Sequence, residues 1–191
     1  MSSSLTKNGK SLQTVIPQYI CESMALKAGD EIEFVKEGSW IKFKRSETAA
    51  KTVFSIGYEG KTVESLIAEL KRNCVKLLID VREIPASRKI GFSGSALEEK
   101  LSEVGIEYIH TKKLGSPKEI RDEFKAGGGS SAFFEDYRKY LNTQTDEFRK
   151  LEQYVKSKTS VLMCFEKYYQ ECHRKIIMEK LSKMGYVCMH L

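Results

Sequence analysis

The strongest constraint on this chain is the alternation that begins at Val53. From there to Leu191, short apolar runs take turns with stretches whose apolar residues recur every three or four positions. The runs at 53–56, 75–81, 106–110, 161–165 and 186–191 read as buried strands. The stretches at 62–72, 95–104, 117–125, 132–157 and 172–184 read as amphipathic helices, with a flexible break at 127–131. Neighbouring parallel strands need a crossover long enough to hold a helix. This order therefore predicts an α/β domain with a mainly parallel sheet and helices on both faces.

Residues 5–45 follow another pattern. Lys7-Asn8-Gly9-Lys10 is a turn signal, a β-rich run covers 12–16, and Pro17 opens a short helix over 18–24. After a second turn at 27–30, two short strands at 31–36 and 40–44 form a hairpin around Glu37-Gly38-Ser39. Ile32, Phe34, Ile41 and Phe43 alternate with charged residues, so one face of the hairpin wants a partner. A module this small buries little by itself, and a homodimer is expected. The polar stretch 46–52 reads as a linker, which gives three regions: 1–45, 46–52 and 53–191.

The β-run into Ile16-Pro17, the helix before Lys27, Ala28-Gly29-Asp30 and the final hairpin together resemble the AbrB/MazE-type swapped-hairpin DNA-binding modules. The resemblance implies an interlaced dimer that contacts DNA through basic residues near the first strand. Lys7, Lys10 and Lys27 are the candidates here. The arginines common in that family are missing, and lysine contacts give affinity more than sequence readout. A module that serves only to dimerise is the alternative.

In a parallel sheet the C-terminal ends of the strands share one rim, where ligands bind. Glu59, Asp80, Arg82, Cys164 and Glu166 all fall at such ends. The stretch VLMCFEKYYQECHRK (161–175) adds Cys172, His173 and Arg174 where a strand hands over to a helix. A thiol at a helix start beside an imidazole and a guanidinium favours the thiolate. Cys172 is thus a candidate nucleophile with His173 beside it, and Glu166 or Asp80 is placed to move a proton. The structural alternative has Cys172 packing while Arg174 pairs with Asp80 or Glu166. Cys164, on an apolar strand, reads first as a small hydrophobe and otherwise as part of the pocket.

Arg82 and Arg88 with Ser87 could clamp a phosphate or carboxylate, because a guanidinium presents a planar fork. The plain alternative is a salt bridge, Asp80–Arg88 or Glu59–Arg82. Cys164, Cys172 and His173 are chemically fit for zinc. The chain has no C-x-x-C, however, and no metal site is expected; no cofactor is indicated.

GYEG, DVREIPASR with Phe92, GIEYIH, KKLGSP, FEDYRKYL, LMCFEKYYQECHRK and GYVCMHL occur in the order seen in family 488 of the domains of unknown function. The resemblance implies a compact α/β domain with a polar pocket built from those motifs, and no established reaction. LLIDVRE also bears a weak likeness to rhodanese folds. The distance from Cys164 to Arg174 is too long for a tight anion-cradling loop, so no rhodanese residue is carried across.

The net charge of +6 permits nucleic-acid or phosphate partners without requiring them. No apolar run approaches the roughly 20 residues that cross a bilayer, and the start has no apolar leader, so no membrane partner is expected. Five cysteines at irregular spacings fit a reduced, cytoplasmic protein. The function expected is a DNA-associated protein with an anion-binding, enzyme-like pocket for a nucleotide or nucleic-acid-linked substrate. The alternatives are a DNA-binding regulator that senses a small anionic ligand, and a dimeric interaction protein.

Overall fold

In a computed structural model, which describes residues 5–8, 11–26, 32–45 and 52–191, the chain divides into two units, Met1–Ala49 and Ala50–Leu191. In the first, β1 (Leu5–Asn8) pairs antiparallel with β2 (Ser11–Thr14), Asn8 facing Ser11. Lys7 and Asn8, expected in a turn, are strand residues. The helix α1 (Gln18–Ser23) follows Pro17, and β3 (Ile32–Glu37) pairs with β4 (Trp40–Arg45) across a turn where Gly38 takes φ +62°. Glycine suits that left-handed position because it has no Cβ to clash. The register sets Phe34 opposite Phe43 and Ile41 opposite Lys36, so Ile32, Phe34, Ile41 and Phe43 share one face. Phe34 is 61% and Ile41 69% exposed. Lys7 lies on β1, whereas Lys10, Lys27 and the 46–51 stretch fall outside the described residues.

The second unit is an α/β domain. Its strands β5 (Thr52–Gly57), β6 (Leu77–Asp80), β7 (Glu107–His110), β8 (Ser160–Cys164) and β9 (Val187–His190) form one parallel sheet in the order β7-β6-β8-β5-β9. The helices between them are α2 (Val63–Arg72), α3 (Gly94–Ser102), α4 (Lys118–Lys125), α5 (Ser130–Thr143), α6 (Thr145–Ser157) and α7 (Arg174–Lys183). A single helix over 132–157 was the expectation. The chain instead breaks at Gln144, whose ψ of +45° departs from the helical value. The break lets Tyr137 and Leu141 on one arm and Phe148, Leu151 and Val155 on the other turn inward to the same core.

Side chains on a strand alternate between faces, and two cores result. Leu77, Ile79 and Leu162 meet α5, α6 and α7 on one side, while Leu78, Val161 and Met163 meet α2 and α3 on the other. β8 is buried throughout, which explains its unbroken apolar run. The spacing of Val63, Leu66 and Leu70 gives α2 its inner stripe, and Thr62 caps it by accepting from the Ser65 amide at 3.2 Å. Past α2, Cys74 sits at φ +51°, a costly conformation for a residue with a side chain.

The helix after β8 packs on one face and those after β5 and β6 on the other. At such a crossing the strand ends open outward rather than being covered. Pairing also continues past the strands: Tyr58 N–H donates to Cys164 O, Glu59 N–H to Phe165 O, and Val81 N–H to Met163 O. Gly57 permits this closeness, since a Cβ there would stand 1.9 Å from Glu166 O.

Candidate functional site

A cleft of about 540 Å³ opens at the C-terminal ends of β5, β6 and β8. The loop after β6 contributes Arg82, Ser87, Arg88 and Lys89, and the segment after β7 contributes Ser116 and Arg121. Cys164, Phe165, Glu166 and His173 line it from β8 and the start of α7, and Tyr58 from β5.

One wall is held by a buried ion pair. Asp80 is fully buried, and Arg82 is 6% exposed. Arg82 Nε donates to both Asp80 carboxylate oxygens at 2.8 and 3.0 Å, and Nη2 donates to Oδ2. Arg82 Nη1 reaches Tyr58 Oη at 3.1 Å and Phe92 O at 2.9 Å. Tyr108 Oη donates to Asp80 as well, at 2.7 Å. Burial disfavours the Arg82 charge, but the bonds to Asp80 outweigh it and raise its pKa. Burial and then Asp80 raise that of Tyr108. The salt bridges considered from the sequence, Asp80–Arg88 and Glu59–Arg82, are replaced by Asp80–Arg82. Asp80 is thereby surrounded by its partners, and most donors of Arg82 are engaged in the wall.

Arg88 differs. It is exposed, lines the cleft and has no hydrogen-bond or ion-pair partner among the described residues. Beside it, Ser87 Oγ accepts from the Lys89 amide at 3.1 Å, and Lys89 Nζ donates to Tyr58 O at 3.2 Å. Arg121 pairs with Glu83 and donates to Ser116 O. Ser116 Oγ is buried without a partner.

At the floor, Cys164, Cys172 and His173 place their ligand atoms within 4.8 Å of one another. His173 Nε2 lies 2.8 Å from Val81 O. A carbonyl only accepts, so Nε2 carries a hydrogen, and Nδ1 faces Cys172 Sγ, 3.7 Å away. The Tyr137 ring meets the imidazole edge-on at 5.1 Å, and its hydroxyl donates to Leu114 O at 2.6 Å. Arg174, 1% exposed, donates through Nε to Cys172 Sγ at 3.3 Å and through Nη2 to Glu166 O. Its partner is thus the Glu166 carbonyl rather than a carboxylate.

Burial opposes ionisation of Cys172, but the hydrogen bond from Cys164 and the charges of His173 and Arg174 hold its pKa well below the usual thiol range. Cys164 is pushed up, first by its bond to Cys172 and then by burial. For His173 burial acts downward, and the neighbouring Cys172 reverses it. Burial raises Glu166, whose Oε2 is buried with no partner. The thiol facing the cleft is Cys164; Cys172 is 1% exposed and lies behind it. The better thiolate is therefore the less accessible sulfur, which weakens the case for Cys172 as a nucleophile.

Glu59 is exposed outside the cleft lining, and its Oε2 accepts from the Lys167 amide at 3.1 Å, fixing the loop that bears Glu166. Lys89, Ser116 and Arg121 were not singled out from the sequence. Lys89 adjoins Arg88 and Ser116 belongs to KKLGSP, so each carried a signal; Arg121, on a polar helix, carried none. A Cβ on Gly115 would stand 2.1 Å from Glu83 N, which is how the Ser116 segment comes up to the Arg82 loop.

Residues 62–181 match the family described as Domain of unknown function DUF488. The chain belongs to the DUF488 family. No curated protein and no solved structure matches it. The DUF488 match covers the loops after β6 and β8, the segment after β7 and the whole thiol cluster, and begins just past Tyr58. Among the described residues no helix is long and apolar enough to cross a membrane.

Proposed function

We propose that the DUF488 domain is a catalytic domain for a phosphate-bearing anion, a nucleotide or a nucleic-acid end, and that the N-terminal unit associates with DNA as a dimer. The observation that carries this reading is Arg88, a guanidinium with no partner among the described residues, on the same cleft as two buried, unpartnered oxygens, Ser116 Oγ and Glu166 Oε2. Buried polar atoms are normally paired, and exceptions call for an explanation. An oxyanion answers Arg88 and the serine hydroxyl, and Glu166 at the floor is then placed to move a proton. Arg82 supports the wall and does not clamp the anion. In the first unit, the exposed Phe34–Ile41 face fits burial against a second copy, and lysines near β1 supply phosphate contacts.

The test uses the full chain. Inorganic phosphate and nucleoside monophosphates are titrated by calorimetry, with turnover followed by release of phosphate or base. Arg88→Ala should weaken binding roughly 10–100-fold, the loss of a charge-assisted hydrogen bond, at unchanged Tm. Glu166→Gln should keep binding and abolish turnover. Anion affinity untouched by Arg88→Ala overturns the reading, and binding without turnover turns it to an anion-sensing regulator. Duplex DNA affinity should fall steeply with salt; a flat response leaves the arm as a dimerising device.

A further inference from the structure

Cys164 and Cys172 are eight positions apart and match no common metal-ligand spacing. The fold nevertheless brings their sulfurs together with His173 Nδ1, all within 4.8 Å. We infer that Cys164 Sγ, Cys172 Sγ and His173 Nδ1 form a three-ligand site for a thiophilic divalent cation, Zn²⁺, with its fourth position open to the cleft beside Glu166.

Four observations support it. Bonds of about 2.3 Å to sulfur and about 2.0–2.1 Å to nitrogen, at a tetrahedral angle, put the two atoms about 3.6 Å apart. Cys172 Sγ and His173 Nδ1 are 3.7 Å apart. The opposite ring nitrogen is bonded to Val81 O at 2.8 Å, which is how a metal-bound imidazole is normally oriented and kept in the right tautomer. Charges also balance. Two thiolates neutralise the cation, and the Arg174 guanidinium on Cys172 offsets the Glu166 carboxylate. Finally, Glu166 Oε2 is buried with no partner, and a water on the fourth position would supply one.

Packing alone accounts for less. Buried cysteines are often small hydrophobes, and both thiols do sit in the core. But packing does not require a ring nitrogen to be set 3.7 Å from a sulfur, with a guanidinium on that sulfur and an unpaired carboxylate oxygen next door. On binding, each thiol that is still protonated gives its proton to solvent, the sulfur lone pair forms the metal bond, and no oxidant or reductant is involved. Three protein ligands with one open position is the catalytic arrangement of zinc rather than the closed structural one. Such a centre would polarise the anion or lower the pKa of a bound water.

The inference rests on the cleft reading only for the use of the open position, and its test is separate. The full-length reduced chain is stripped with chelator and titrated with Co²⁺, then Zn²⁺. One equivalent per chain is expected, with intense tetrahedral visible bands and a thiolate charge-transfer band that Zn²⁺ displaces. Cys172→Ser, Cys164→Ser and His173→Gln should each lose more than the roughly 10–100-fold that removal of an outer-shell partner costs. Cys74→Ser and Arg88→Ala should bind as wild type does, so failure of the anion site leaves this result intact. Where a variant does not fold, X-ray absorption at the zinc edge of the loaded wild-type chain decides. Two sulfurs and one nitrogen are expected. A shell of oxygen and nitrogen only, an octahedral cobalt spectrum, or no stoichiometric binding overturns the site.

Discussion

Replacing Asp80 with Asn tests whether the Asp80–Arg82 pair is a wall of the cleft or a working part of it. The carboxylate accepts from the Arg82 amide at 3.1 Å, from Arg82 Nε at 2.8 and 3.0 Å, from Arg82 Nη2 and from Tyr108 Oη. Asn keeps the shape, removes the charge and turns an N–H₂ toward the guanidinium. Arg82 stays 94% buried without a counter-ion, and breaking one side of such a pair costs about 3–5 kcal/mol. For a domain of this size that corresponds to a Tm drop of roughly 10–15 °C, readable by calorimetry. Removing Arg82 as well, in Asp80→Asn/Arg82→Met, takes away the stranded charge, so the double variant should lose at least about 2 kcal/mol less than the sum of the singles. Tyr58 Oη and Phe92 O lose a donor in it, which is why recovery is incomplete. Raising the salt should change none of this, since buried pairs are poorly screened. A loss under about 1 kcal/mol for Asp80→Asn, or additivity within about 0.5 kcal/mol, would refute the reasoning.

Gly57→Ala should cost at least about 1–3 kcal/mol and weaken anion binding as well, because the new methyl collides with Glu166 O and the floor loop must move; thermal unfolding and calorimetry read the two effects. Tyr137→Phe should cost about 1–3 kcal/mol by leaving the buried Leu114 carbonyl without its donor, measured by urea unfolding. Cys74→Gly should stabilise the domain by about 1 kcal/mol, since the left-handed backbone at φ +51° suits glycine; a lower Tm would count against it. Phe34→Glu in the full chain should convert the proposed dimer to monomers in sedimentation, by charging the face shared with Phe43.

The architecture was legible because the central strands β5, β6 and β8 are apolar runs and helices such as α2, α6 and α7 carry their own inward stripes. What was lost at this level was local. The break at Gln144 has no glycine or proline to announce it, and β1 hides in a stretch of turn residues. The site was legible as a rim but not as a set of partners. DVR shows that Asp80 and Arg82 are two apart, yet not that Arg82 folds back onto Asp80 instead of reaching outward. Likewise, Cys164 and the Cys172–His173 pair come from two elements, and only the path of the loop between them makes one cluster. Arg121 became part of the cleft through the Gly115 approach, a contact with no periodic signature.

The middle place of β8 has a consequence for how the protein is made. Ser160 pairs with both Val53 and Leu77, so β5 and β6 never touch until the strand between them exists. At about 5–20 residues per second, the ribosome takes roughly 5–20 s to get from the end of β5 to the end of β8. For that time the nascent domain holds unpaired strand edges, the usual starting point of aggregation. A chain cut short before Ser160 would lack a continuous sheet and every member of the thiol cluster at once. The thiol cluster can therefore arise only in molecules whose central strand is already in place.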